Sequence, residues 1–244
     1  FLFYMNTNQF FGFKQGFSEM QHDVFANADT LIKNGKRWLE ASDEQASFLY
    51  LHLNDAHYPY QPSTDYAGMF NNTNIEATLD GPAEIEFRAS EGSSFSELQV
   101  ESLRLSYAEE IRYLDDLVGD FVNYLLQTRD DVIVIVTADH GEEFLDHGRL
   151  SHSHSVQREL VHVPLLMQFP QEVQGALNTA RVIDEPLHQI DILPTMLDYL
   201  QIKERHEPPY PKMPGVSILA ALVLLGGGVW YQTQLHDALG LAED

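Results

Sequence analysis

The sequence predicts an α/β fold, a mixed, mainly parallel sheet sandwiched between helices, and three segments carry that expectation. Leu103, Tyr107, Ile111, Leu114, Val118, Phe121 and Leu125 step by 4, 4, 3, 4, 3 and 4 residues, which draws one apolar stripe along a long helix. Directly after it, Asp131–Thr137 (DVIVIVT) is a continuous β-branched run of the kind found in central parallel strands. Before the helix, Ser47–Leu53 (SFLYLHL) is rich in strand formers and ends at the turn-prone Asn54 and Asp55, so it reads as a buried strand. A strand, a crossover helix and a second strand in that order imply a parallel sheet covered by helices.

The remaining elements follow in chain order. Asp23–Ala41 has Phe25, Ala28, Leu31, Ile32 and Trp38 near helical spacing. Residues 61–96 are rich in Ser, Asn, Thr, Gly and Pro and read as a long surface excursion. Ser94 with Glu97 offers a capping box at the start of the long helix. Val163–Gln168 is a third strand candidate, and Asp191–Leu200 a short helix with Pro194 in its first turn. The chain thus divides into an α/β domain over 1–208 and an apolar tail over 209–244. Within the tail, Val216–Trp230 is 15 residues long and the stretch from Met213 to Leu235 is uncharged. A bilayer span takes about 20 apolar residues. Three consecutive glycines and Gln232 and Gln234 interrupt the pattern, so a soluble or irregular tail is favoured over membrane contact through 216–235.

With 244 residues and 44% hydrophobic content, the chain can bury a full core. Its formal charge of −23 repels phosphate backbones and anionic membranes, which excludes nucleic acid as a natural partner. The same field repels an anionic substrate, so a sulfate or phosphate site calls for a local cation, and a bound metal supplies one. Cysteine is absent, which removes disulfides, zinc-thiolate sites and cysteine nucleophiles from these residues. The chain opens on Phe1 with its first Met at position 5 and no complete signal peptide, as a fragment would.

Two polar clusters follow the two best strands: Asn54–Tyr60 (NDAHYPY) and Ala138–Glu143 (ADHGEE). Ligands of open α/β sheets bind at the carboxyl ends of the strands, so both clusters are expected on one rim. Asp139 and His140 combine an oxygen for a hard ion with a nitrogen for zinc or manganese, and Gly141 is expected to let the backbone turn so that both face one point. His147, His152 and His154 put three imidazoles in eight residues, groups that can donate to an oxyanion or protonate a leaving oxygen. The isolated His22, His52, His162, His188, His206 and His236 read as structural.

The collinear order FLYLHLNDAHYPYQP, SYAEEIRYLDDLVGDFVNYL, VIVIVTADHGEEFLDHG, SHSH, ELVHVPLLM and DILPTMLDYL resembles the later half of the sulfatase family, in the alkaline phosphatase superfamily. Phe17 in KQGFSEM and the Trp38-Leu39 helix end extend the resemblance, which covers about residues 10–203. It implies that Asp139 and His140 are the second pair of metal ligands and that His57 contacts the sulfate and its leaving oxygen. His152 or His154 would take the anion-contacting place about a dozen residues beyond the metal pair. The implied metal is calcium, or zinc or manganese in a phosphoryl-transfer member, and the implied substrate is a small-molecule or glycan sulfate ester. An extracytoplasmic location is implied as well. The family's nucleophile is a formylglycine made from Cys or Ser, or a Ser or Thr in phosphoryl-transfer relatives. Neither it nor the first acidic ligand pair has a counterpart in this sequence, so the chain alone is expected to be inactive. Phosphodiesterase chemistry, transfer of phosphoethanolamine or phosphoglycerol, and a catalytically dead binding domain are the alternative readings.

Overall fold

Helix α1 (Ala28–Ala41) forms where its periodicity predicts and is capped twice. The computed structural model describes residues 15–20, 26–42, 46–70, 95–170, 182–183, 186–202 and 215–219. Asn27 accepts from the Thr30 N–H at 3.1 Å, and Asp55 takes the Ala28 N–H on both carboxylate oxygens, at 3.1 and 2.9 Å. These acceptors meet donors that a first helical turn leaves without intrahelical partners. Burial raises the Asp55 pKa, and the Ala28 N–H partly opposes that shift. Leu31, Ile32 and Leu39 are buried on the inner face. The predicted start at residues 23–25 lies outside the described residues.

Residues 47–53 depart from expectation. Among the described residues they join no ladder. Leu49 and Leu53 pack around Leu31, and Leu49 and Leu51 approach Gly35 of α1 so closely that a Cβ there would lie 3.2 Å from Leu51. Phe48 and Tyr50, on the alternate positions, are 54% and 39% exposed. The segment therefore buries one face against a helix rather than both faces within a sheet.

Helix α2 (Glu97–Thr128) matches the predicted stripe. Its capping box is Ser96 with Gln99: Ser96 Oγ accepts from Gln99 N at 3.3 Å and Gln99 Oε1 accepts from Ser96 N at 3.0 Å. Glu97 is the first helical residue, so it stands too early to close the predicted box, and Ser94 lies outside the described residues. Two buried carboxylates on α2 fasten the loop before it. Glu109 accepts the Phe70 N–H at 2.8 Å and Glu110 the Gln61 N–H at 2.6 Å. Of the predicted excursion over 61–96, residues 71–94 lie outside the described residues.

The chain gathers into two compact units, Phe1–Tyr124 with Glu142–Leu160, and Leu125–Gly141 with Val161–Asp244. In the first, Leu103 packs with Phe144 and Leu150 beneath the rings of Tyr58, Tyr60 and Tyr107. In the second, strand β1 (Val134–Thr137) pairs antiparallel with the strand over Leu165–Gln168, from Val134↔Gln168 to Thr137↔Leu165. The described ladder is antiparallel and four residues long, as one pairing of a mixed sheet can be; no parallel ladder is found among the described residues. An all-apolar run signals covered faces and says nothing about which way its neighbour runs. The predicted third strand is present in this ladder.

The second core joins Met167, Phe169 and Ile218 to Ile135, Leu187 and Tyr199. The predicted C-terminal helix spans Ile192–Tyr199, preceded by a 3₁₀ turn over Gln189–Asp191, and Pro194 falls in its first turn. Asp191 binds the start of the tail, accepting from Val216 N at 2.9 Å and His188 N at 3.0 Å, and these N–H groups hold its carboxyl below the usual range. At Gly215 the backbone runs so close to the Ile190 carbonyl that any Cβ would collide with it. Among the described residues no helix is long and apolar enough to cross a membrane; residues 220–244 of the tail lie outside them.

Candidate active site

The first unit holds its polar cluster on a short hairpin. Strands β2 (Glu143–Phe144) and β3 (Leu150–Ser151) pair as Glu143↔Ser151 and Phe144↔Leu150. Their connection closes with Gly148 N donating to Leu145 O at 3.0 Å and Leu145 N to Arg149 O at 2.8 Å. Leu145, Ser151 and Ser153 adopt left-handed backbone, with φ of 62°, 72° and 70°. Each such non-glycine costs about 1–2 kcal/mol, and strain of this kind gathers where side chains must be aimed. Among the described residues the left-handed glycines are Gly16, Gly68 and Gly148; Gly148 serves the hairpin turn, and Gly141 keeps a φ outside that region. Asp146 secures the turn by accepting from Phe144 N at 2.9 Å and Arg104 at 3.2 Å. Burial works against its ionisation, but the Phe144 N–H and the Arg104 guanidinium outweigh it, and its carboxyl sits below the usual range.

Extending the antiparallel register by one residue sets Glu142 opposite His152, and their side chains meet at 3.0 Å, Nδ1 to Oε1. The Tyr60 hydroxyl also hydrogen-bonds Glu142; burial, then Glu142, drives that phenol far above its ordinary range. Tyr60 is itself packed edge-on against Tyr107 at 5.5 Å and tilted on Phe144 at 5.7 Å. Next along the strand, fully buried Glu143 accepts from His147 N and from His154 Nε2, both at 2.9 Å.

The histidines differ in what their nitrogens do. His57 Nδ1 lies 2.7 Å from the Tyr58 carbonyl. A carbonyl only accepts, so Nδ1 carries the hydrogen and Nε2 is the basic or acidic end of the ring. The His57 ring stands edge-on to His152, with centroids 5.3 Å apart. His154 instead meets the His152 carbonyl through Nδ1 at 3.0 Å and Glu143 through Nε2, so both its nitrogens are taken up inside the protein.

Asp139 and His140 belong to the second unit and follow β1. Thr137 Oγ1 donates to Pro164 O at 2.8 Å, and the Gln189 side-chain amide donates to Ala138 O, so the strand end is pinned. His140 N donates to Asp139 Oδ1 at 3.0 Å and His140 Nδ1 to Gly141 O at 2.8 Å. His140 Nε2 and Asp139 Oδ2 stand 3.9 Å apart, one nitrogen and one oxygen of the kinds that would hold a divalent cation. Anchoring Nδ1 on a carbonyl is also how proteins orient a metal-binding imidazole. The pair therefore fits a divalent cation. Among the described residues no group of three or more His, Asp or Glu side chains is arranged to hold a metal, so these two are a partial ligand set.

The sulfatase family model matches residues 2–202. The chain belongs to the sulfatase family. It is 26% identical over 204 residues to the multifunctional alkaline phosphatase superfamily protein PehA of Trinickia caryophylli, covering 72% of this chain and 38% of that protein. Arylsulfatase K of Mus musculus is 32% identical over 130 residues, 52% of this chain and 22% of its own length. In structure the chain resembles the phosphonate monoester hydrolase SpPMH from Silicibacter pomeroyi with a TM-score of 0.59 at 23% identity, covering 81% of this chain and 42% of that one. That likeness establishes the α/β architecture of the sulfatase and alkaline phosphatase type. The chain spans less than half the length of these relatives.

In this sulfatase-family chain the structure brings together His57 and His152 of the predicted site, ties His154 to Glu143, and sets Asp139 beside His140. Tyr60, Glu142 and Glu143 are additions that sequence reasoning missed. Their signal was available: the turn-forming Asp146-His147-Gly148 folds the two glutamates back onto the His-Ser-His run.

Proposed function

We propose that the protein is a metal-dependent sulfuric ester hydrolase, in which His57 and His152 receive the sulfate group and assist its leaving oxygen. The observation that carries this reading is the His57–His152 pair: two imidazoles 5.3 Å apart, each fixed through Nδ1, one on a carbonyl and one on a buried carboxylate. Held in that way, both rings offer Nε2 to an oxyanion or to a leaving oxygen. His154 meets protein partners at both nitrogens, and the anion-contacting role is given to His152 for its place beside His57. Asp139 and His140 hold a divalent cation, calcium by family resemblance, with zinc or manganese equally suited to the oxygen–nitrogen donor pair. When bound, the cation would supply positive charge to a chain whose net charge of −23 repels an anionic ester.

The attacking group lies outside the residues discussed, since the chain has no cysteine to become formylglycine and no serine in the setting that the modification requires. The 244 residues by themselves are therefore inactive. The test is turnover of an aryl sulfate by the chain alone and by the same chain joined to a segment bearing the nucleophile. Activity only in the second, reduced about 10²–10⁴-fold by His57→Ala, is the expected result. Full activity from the 244 residues alone, or an unchanged rate in the His57→Ala protein, overturns it.

A second reading, phosphodiesterase chemistry, is favoured by the likeness to a multifunctional alkaline phosphatase superfamily protein. Rates on matched aryl sulfate and aryl phosphodiester substrates decide between them: a higher kcat/KM on the phosphodiester would replace the first reading with this one. An extracytoplasmic location, as family resemblance implies, completes the proposal, and fractionation of cells expressing the protein tests it.

A further inference from the structure

We propose that Glu142 is a positioning residue that fixes the tautomer of His152. Resting on the sulfuric ester hydrolase reading only for its consequence in turnover, the inference itself comes from the hydrogen-bond geometry of the hairpin. Glu142 Oε1 lies 3.0 Å from His152 Nδ1, and the Glu142 side chain is only 4% exposed. A carboxylate accepts and does not donate, so the neutral His152 ring carries its hydrogen on Nδ1 and its lone pair on Nε2. Ser151 Oγ, 3.3 Å from the same Nδ1, is the weaker of the two neighbours. Tyr60 also hydrogen-bonds Glu142, and a carboxylate accepts from it as it does from His152. The rings of Tyr107 and Phe144 hold Tyr60 in turn. Tyr60, Glu142 and His152 therefore form a directed chain of hydrogen bonds, anchored in the aromatic core and ending on the imidazole beside His57.

The neighbouring pair makes the contrast. Glu143 engages His154 at Nε2, while the His152 carbonyl engages it at Nδ1, so that carboxylate immobilises a ring without selecting a working end. Glu142 engages its ring at Nδ1 and so selects Nε2. A carboxylate behind an imidazole holds the ring in the tautomer and orientation that acid–base work needs, and loss of that control costs rate without necessarily costing binding.

The experiment has two parts. In the first, the full 244-residue chain is labelled with ¹⁵N-histidine, and long-range ¹H–¹⁵N correlation spectra are recorded at a pH of about 9, where an ordinary imidazole is neutral. The wild-type chain is expected to show His152 as the Nδ1–H form. Glu142→Gln, which can present an amide N–H to Nδ1, is expected to convert His152 to the Nε2–H form while His154 keeps its signals. Glu142→Asp, a shorter carboxylate, is expected to restore the Nδ1–H form at least in part. An Nε2–H ring in the wild-type chain, or the same tautomer in Glu142→Gln, overturns the proposal. In the second part, the protein carrying its nucleophile segment is assayed on an aryl sulfate. Glu142→Gln is expected to lower kcat about 10²–10⁴-fold with KM changed by less than about threefold. A kcat unaffected by a variant whose tautomer has flipped overturns the positioning role. Should the tautomer follow Glu142 in a protein that hydrolyses no sulfate ester, the functional reading falls and the assignment of Glu142 stands.

Discussion

The hairpin from Glu142 to Ser155 and the loop from Ala138 to Gly141 carry similar residues and hold them in opposite ways. In the hairpin, Glu143 is fully buried, His154 is 13% exposed and each is satisfied by the other and by backbone. In the loop, the Asp139 side chain is 65% exposed and the pair is organised by two backbone hydrogen bonds. A buried carboxylate is tolerated only when hydrogen-bonded and paired, so the hairpin's order is built into its folding. An exposed carboxylate stays hydrated and lightly constrained, and a cation is what would fix it. The hairpin's imidazoles are fixed by side-chain partners, whereas the loop's pair is held by backbone groups.

The largest consequence is for stability. Glu143→Ala leaves the largely buried His154 ring without its carboxylate and removes the acceptor of the His147 N–H, and is expected to destabilise the chain by about 3–5 kcal/mol. Asp139→Ala removes a solvated group and is expected to stay within about 0.5 kcal/mol of wild type. Denaturant midpoints measured on both variants check the contrast, and equal losses would erase it.

Metal binding inverts the ranking. Calcium or zinc titrated into the 244-residue chain is expected to bind weakly, with a Kd of about 10⁻⁴ M or above, because two donors are a small share of a divalent ligand set. Asp139→Ala should abolish that binding and Glu143→Gln should leave it unchanged. Calorimetry showing tight, stoichiometric binding that survives Asp139→Ala would put the ion elsewhere.

How much of this was legible depends on how local each signal is. The helices over 28–41 and 97–128 could be read because periodicity and caps lie within one segment. The direction of the strand at Val134–Thr137 could not, because a run of β-branched residues reports burial and leaves pairing open. Residues 47–53 misled for a related reason: Leu49, Leu51 and Leu53 alternate, but the surface they meet is a helix. The strand-end rule pointed to His57, Asp139 and His140, but it could not say how His152 and His154 differ in their surroundings. That depends on pairings across ten and eleven residues, Glu142 with His152 and Glu143 with His154, which exist only once the hairpin is folded.

The smallest effect comes from a third carboxylate that sharpens the comparison, a buried acid that burial dominates. Glu110 on α2 accepts the Gln61 N–H at 2.6 Å, while burial first and the nearby Asp55 charge next raise its pKa from 4.5 to about 8. The Gln61 N–H opposes that shift without cancelling it. Because the folded value exceeds the unfolded one, folding favours the protonated acid. The stabilising contribution is therefore complete below pH 4.5 and is lost as pH rises through about 8. Glu110→Gln keeps an acceptor for Gln61 and has nothing to ionise, so its stability should fall less over the same window. The difference between the two proteins is expected to grow by about 1–2 kcal/mol after allowance for solvent screening. Self-repulsion of a chain at −23 also weakens the fold as carboxylates ionise, but that background is nearly common to both proteins and cancels in the difference. Urea midpoints from pH 5 to pH 9 supply the measurement. Parallel curves would mean that Glu110 titrates like a solvated acid in spite of its burial among these helices.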